Sequence, residues 1–169
     1  NSERTVVLST KDNFPTDLYM VQGLSDLLGP DLCQLQMVEE QDIQQSLTES
    51  VAALLLTQVN FRTGRLLDMA KLTQLAHDKG VLVIWDLAHS AGALPVELDK
   101  CEVDFAVGCG YKYLNGGPGS PAFLYVAKRH QQAVKQPLSG WMGHAKPFAF
   151  DAQYHPSLNI NQFQCGTPS

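Results

Sequence analysis

Val51-Ala52-Ala53-Leu54-Leu55-Leu56 is a continuous apolar run closed by Thr57. An unbroken run of this length reads as a strand buried on both faces, the pattern of a parallel sheet covered by helices. Downstream, Leu66–Lys79 carries Leu66, Met69, Ala70, Thr73 and Ala76 on one stripe at helical spacing. Asp68 falls in its first turn, His77 and Lys79 in its last, and Gly80 terminates it, so charges match the helix dipole. Val81–Trp85 then repeats the buried-strand pattern and ends at Asp86. Strand, helix, strand is the unit of a parallel sheet.

The same reading extends both ways. Thr5–Ser9 is a β-branched strand, and Asn13–Asp17 is a loop in which Thr16 or Asp17 caps the next helix. Leu18–Leu28 is apolar at helical spacing and stops at Gly29-Pro30. Cys33–Val38 alternates as a strand with one wet face, and Glu39–Ser50 suits an exposed helix with Ile43 and Leu47 four apart. Val103–Gly108 and Phe123–Ala127 are further strands, the latter followed by a short helix over Lys128–Val134. The fold class is therefore α/β, a mostly parallel sheet flanked by helices.

Composition narrows the function. The chain has 169 residues, 44% hydrophobic and 17% charged, enough for one packed domain or a large piece of one. Its net charge of −5, with no basic stripe, gives no electrostatic footprint for nucleic acid. No apolar run approaches the ~18–20 residues of a membrane span. Cys33, Cys101, Cys109 and Cys165 form no C-x-x-C pair and read as free thiols of a reducing compartment. With no signal peptide in view, the expected localisation is cytoplasmic. The chain starts without Met and stops in loop chemistry at Gly166-Thr167-Pro168-Ser169, which reads as an internal fragment.

Several motifs fail. Gly116-Gly117-Pro118-Gly119-Ser120 lacks the G-K-[ST] of a phosphate loop, and no G-x-G-x-x-G opens a helix. The five histidines show no metal-ligand spacing, so no metal is expected.

In a parallel sheet, ligands sit beyond the carboxyl ends of the strands. Phe14, Asp17, Thr57, Asp86 and Lys112 all follow predicted strands. Asp86 at a strand end is either a turn-capping residue or a charge partner for a cationic ring nitrogen. Lys112 is a lone cation among small and aromatic residues in Gly108-Cys109-Gly110-Tyr111-Lys112-Tyr113. A lysine amine that condenses with an aldehyde and an aspartate that keeps a pyridine nitrogen protonated together fit a pyridoxal phosphate site. The same pattern also occurs in a plain α/β domain.

The text around both residues adds to this. Trp85-Asp86-Leu87-Ala88-His89-Ser90-Ala91-Gly92 and Tyr111-Lys112-Tyr113-Leu114-Asn115-Gly116-Gly117-Pro118-Gly119 resemble the kynureninases. These are a family in the class V group of fold-type I pyridoxal phosphate enzymes. The resemblance runs on through Asn13–Tyr19, Val59–Gly64 and Gly140–His144. It implies a piece of the large cofactor domain, residues 1–169, without the N-terminal segment and the C-terminal small domain. It implies hydrolysis of L-kynurenine or 3-hydroxy-L-kynurenine by a homodimer.

The resemblance also assigns roles. Lys112 attaches the cofactor and moves protons, and Asp86 pairs with the pyridine nitrogen. Phe14, within Phe14-Pro15-Thr16-Asp17, stacks on one ring face, and Ala88 packs on the other. Asp17 and Thr57 hold the ring edge, and His89 sits beside the cofactor. Tyr111 offers its hydroxyl to the phosphate and is placed to assist a proton transfer. Trp141 and Thr167 add phosphate contacts. Taken alone, Thr57 reads equally as a strand-end cap, and Phe14, His89 and Trp141 as core residues. Other class V enzymes remain as alternatives. Cysteine desulfurases usually carry Gln where His89 stands and S-x-H-K before the lysine, and aminotransferases of the class lack the Y-L-N-G-G-P-G text. A non-catalytic domain would have no structural need for both Asp86 and Lys112.

Overall fold

The structure, a computed structural model, describes residues 4–167. The chain divides into two compact units, one running to Tyr125 and the other from Val126. The first is built on a six-stranded sheet with the order β2-β1-β3-β4-β5-β6. The strands are β1 (Val6–Thr10), β2 (Gln34–Val38), β3 (Val51–Thr57), β4 (Leu82–Asp86), β5 (Phe105–Cys109) and β6 (Ala122–Val126). The pairs β1–β2, β1–β3, β3–β4 and β4–β5 are parallel. The register sets Thr57 beside Asp86, so both side chains finish at one edge of the sheet.

Alternation along β3 divides the core. Leu54 and Leu56 join Leu8, Val83 and Trp85 on one face, packed against Ile43 of α2 (Ile43–Ser46) and Met69 and Ala76 of α3 (Met69–His77). Leu55 joins the other face with Val7, Leu35 and Ile84, against Val21 of α1 (Pro15–Leu28). Each fully buried Leu or Val contributes about 1.5–3 kcal/mol. Trp85, fully buried, also donates its indole N–H to Thr73 Oγ1 of α3 at 3.1 Å. His77, the last residue of α3, meets buried Asp104 at 2.8 Å, and the same carboxylate oxygen accepts the Val83 N–H. That pair pins the helix end to β4.

The strand readings hold to within two residues. The helices differ more. The expected helix over Glu39–Ser50 is only a 3₁₀ turn at Glu40–Asp42 followed by the single turn of α2. Only Ile43 and Leu47 are buried there, too little apolar surface to hold a longer helix. Leu66 does not start α3. It is exposed and bridges Val59, and Asp68 is the true N-cap, accepting the Lys71 N–H at 3.0 Å. Lys128–Val134 forms turns and not a helix, closed by the Gln131 side chain on the Val126 carbonyl. Neither Thr16 nor Asp17 caps α1. Phe14 occupies the N-cap and Pro15 the first helical position.

The second unit is held by 3₁₀ turns at Trp141–Gly143, Pro147–Ala149 and Ile160–Phe163 and by an antiparallel bridge between His144 and Pro156. All four cysteines are free thiols. Among the described residues no helix is long and apolar enough to cross a membrane.

Candidate active site

The site lies where the parallel strands end. β3 delivers Thr57, β4 delivers Asp86, and the loop after β5 delivers Lys112. Phe14 and Asp17 come from the start of α1, just after β1.

Asp86 is buried and makes two kinds of contact. Its Oδ1 accepts the Ala88 N–H at 2.8 Å, which fixes the turn that carries His89. Its Oδ2 lies 3.3 Å from Thr57 Oγ1. The Thr57 hydroxyl has one proton, shared between that carboxylate and the Val59 carbonyl at 3.2 Å. Asp86 and Thr57 thus serve local structure and still present a carboxylate at the strand end.

Lys112 Nζ lies 3.1 Å from His89 Nε2, 5.4 Å from the centre of the Phe14 ring and 5.5 Å from the centre of the Tyr111 ring. One hydrogen bond joins the two side chains, the imidazole tautomer setting which nitrogen donates. The other ring nitrogen, Nδ1, is buried and has no partner. Burial holds the His89 pKa below its ordinary value, with Lys112 adding to the effect and Asp86 opposing it. The Phe14 ring is tilted toward the His89 ring, centroids 6.5 Å apart.

Asp17 completes the cluster. Its Oδ2 is buried without a partner. Burial pushes its carboxyl up to about 7, Asp86 adds to the rise, and Lys112 opposes it. An unpartnered carboxyl oxygen and an unpartnered imidazole nitrogen are unfavourable for folding alone, since each lacks a hydrogen bond. Both are free to pair with a polar group brought in by a ligand.

The loop bearing Lys112 is pressed against the turn bearing His89. A Cβ on Gly92, at φ +86°, would fall 2.5 Å from the Tyr113 carbonyl oxygen, so only glycine permits that approach.

Phe14, Asp17, Thr57, Asp86, His89 and Lys112 thus converge in the first unit. Pro15 and exposed Thr16 flank them on α1, and the Tyr111 side chain is half exposed. Trp141 and Thr167 belong to the second unit. There Trp141 stacks on Phe150, centroids 6.1 Å apart, and Thr167 is exposed.

Sequence reasoning gave no role to Ser9, Asn13 or Asn60. Asn13, buried, links Ser9 to the Phe14 backbone. Asn60 reaches both the backbone carbonyl and the side chain of Asp12, which fastens the loop after β3 to the loop after β1. Both asparagines lie in segments that resemble the family text, and an asparagine beside a strand end was the one signal available.

The donor set suits a flat, aldehyde-bearing cofactor with a cationic ring nitrogen: one amine, an aromatic ring beside it, a carboxylate at a strand end, and two polar atoms without partners. Comparison with known proteins agrees with this chemistry. Residues 5–169 match the family model described as Aminotransferase class-V. The chain is 52% identical over 167 residues to a kynureninase of Deinococcus radiodurans, covering 99% of this chain and 40% of that protein. It therefore spans about 40% of the length of the curated relatives it matches. An apo cysteine desulfurase of Thermococcus onnurineus superposes with a TM-score of 0.82 at 22% identity, over 98% of this chain and 42% of that one. C-DES with glycine covalently linked to its PLP cofactor gives 0.81 at 19% identity, over 98% and 45%. At such identities these two structures speak for the fold alone.

Proposed function

This chain belongs to the class-V aminotransferase family, and on that basis we propose that it is part of the large cofactor domain of a pyridoxal phosphate enzyme hydrolysing L-kynurenine to anthranilate and L-alanine. The observation that carries the cofactor is the convergence of Lys112, His89, Asp86 and Asp17 at the strand ends. The substrate is supported by the 52% identity to a kynureninase across nearly the whole chain. Departure from the desulfurase text at His89 and before Lys112 favours it further.

Bound at this site, pyridoxal phosphate supplies an electron sink for the pair left when a proton departs the substrate α-carbon. The chain's own residues do the rest. Lys112 would supply the anchoring amine and could carry a proton at Nζ. Asp86 holds a proton at the pyridine nitrogen. Phe14 offers an aromatic face, and Ala88, with only a methyl group, leaves room for a flat ring. Asp17 and Thr57 bind the ring edge, flanked by Pro15 and Thr16. His89 offers its unpartnered Nδ1 to the ligand. Tyr111 binds the phosphate and assists a proton transfer through its hydroxyl, and Trp141 and Thr167 add phosphate contacts. The enzyme acts as a cytoplasmic homodimer in tryptophan catabolism toward NAD biosynthesis.

The test uses the full-length protein loaded with pyridoxal phosphate and offered L-kynurenine, 3-hydroxy-L-kynurenine and L-cysteine in turn. Equal yields of L-alanine and anthranilate, or its 3-hydroxy form, are expected. Sulfur release from cysteine with no anthranilate would mean a desulfurase instead.

A further inference from the structure

The N-cap of α1 departs from the usual residue choice. Helix starts favour Ser, Thr, Asp or Asn, whose side chains satisfy free backbone N–H groups. Asp68 does this for α3. At the start of α1 stands Phe14, with no side-chain cap bond. Local rules broken in this way mark functional positions. The ring that displaced the cap lies beside Lys112.

Such a residue needs another means of support, and the buried polar groups behind it provide one. Ser9 Oγ donates to the Leu55 carbonyl at 2.7 Å, anchoring itself to β3. Asn13 Nδ2 donates to Ser9 Oγ at 3.0 Å, and Asn13 Oδ1 accepts the Phe14 N–H at 2.7 Å. Ser9 and Asn13 are 0% and 2% exposed, so their side chains are shielded from solvent. Pro15 confines Phe14 to extended backbone, and Phe14 is found there at φ −60°, ψ 131°. Phe61 braces the ring edge-on at 5.1 Å.

We infer that Asn13, seated by Ser9, is a positioning residue that locks the Phe14 backbone and so holds the aromatic ring in place before any ligand arrives. What the ring is for rests on the cofactor reading above. The lock itself does not. Its strength follows from asymmetry: removing the Asn13 side chain strips a part-buried N–H of its partner, whereas forming the bond costs little because Asn13 is already seated on Ser9.

The test uses the full-length protein and four variants: Asn13→Ala, Asn13→Asp, Phe14→Leu and the double variant Asn13→Ala/Phe14→Leu. In the cofactor-free protein, exchange of the Phe14 amide hydrogen should quicken about tenfold or more in Asn13→Ala. Asn13→Asp keeps Oδ1 but sets an acceptor against Ser9 Oγ, whose proton goes to the Leu55 carbonyl, so its exchange should lie between the parent and Asn13→Ala. Pyridoxal phosphate, titrated by its visible absorption and induced dichroism, should bind about tenfold more weakly to Asn13→Ala, and the double variant should bind no worse than Phe14→Leu. If Asn13→Ala does not fold, Ser9→Ala carries both readouts with a loss of about threefold. Unchanged Phe14 exchange would overturn the inference, as would losses that multiply in the double variant. A parent protein that binds no pyridoxal phosphate would refute the cofactor reading, and the exchange arm would still decide the lock.

Discussion

Asp17→Asn isolates the most perturbed carboxyl in the site. The folded state holds the Asp17 carboxyl at about 7 against an ordinary 3.8. That gap corresponds to ~4 kcal/mol at about 1.4 kcal/mol per tenfold change in proton affinity. The side chain is only partly buried, so solvent screening reduces this to about 2 kcal/mol. The sign follows from proton counts. Between pH 3.8 and about 7 the folded state keeps a proton that the unfolded chain releases, so stability falls as pH rises through this window. The contribution is fully present below 3.8 and lost above about 7. Asparagine stays neutral throughout, and the buried Oδ2 it replaces has no hydrogen bond to lose. Urea unfolding of the cofactor-free protein and the variant from pH 4 to 8 measures the difference between them. A pH-independent offset from the amide does not alter the slope. The variant should gain about 2 kcal/mol on the parent across the window, with a plateau on the alkaline side. Parallel curves would refute the idea that burial and Asp86 keep Asp17 protonated.

Two further substitutions probe the frame that carries the site. A Cβ at position 108 would meet the Phe123 ring at 2.2 Å, so Gly108→Ala should lower unfolding free energy by about 1–3 kcal/mol in urea titration. No loss would mean that the ring moves aside freely. Asp68→Ala removes the α3 cap and should cost about 1 kcal/mol by thermal unfolding, whereas Asp68→Asn should cost far less. Equal losses for both would assign the effect to charge and not to the cap.

The sheet was readable because its central strands are buried on both faces. Val51–Thr57 and Leu82–Asp86 have no polar interruption before the residue that ends them, and that residue is the one that faces the ligand edge. Asp86 was legible as the charged end of such a run, and Lys112 as a lone cation among small and aromatic residues after β5. The start of α1 was not. Propensity favours Thr16 or Asp17 as the cap, and the placement of a ring beside Lys112 overrode it. Ser9 and Asn13 gave no periodic signal, because their bonds join residues that only the fold brings together, as between Ser9 and Leu55. The short α2 failed for want of buried area, a quantity that depends on its neighbours. The turns after Val126 were mistaken for a helix because Lys128–Val134 has helix-forming residues but no buried stripe.

The central claim is that Lys112 anchors an aldehyde cofactor beside Asp86 and His89. Borohydride reduction of the full-length protein, followed by mapping of the labelled peptide, tests it directly. A yellow protein that bleaches on reduction and carries the pyridoxyl label on Lys112 is expected. A protein that stays colourless with added pyridoxal phosphate, or a label on any other lysine, would contradict it.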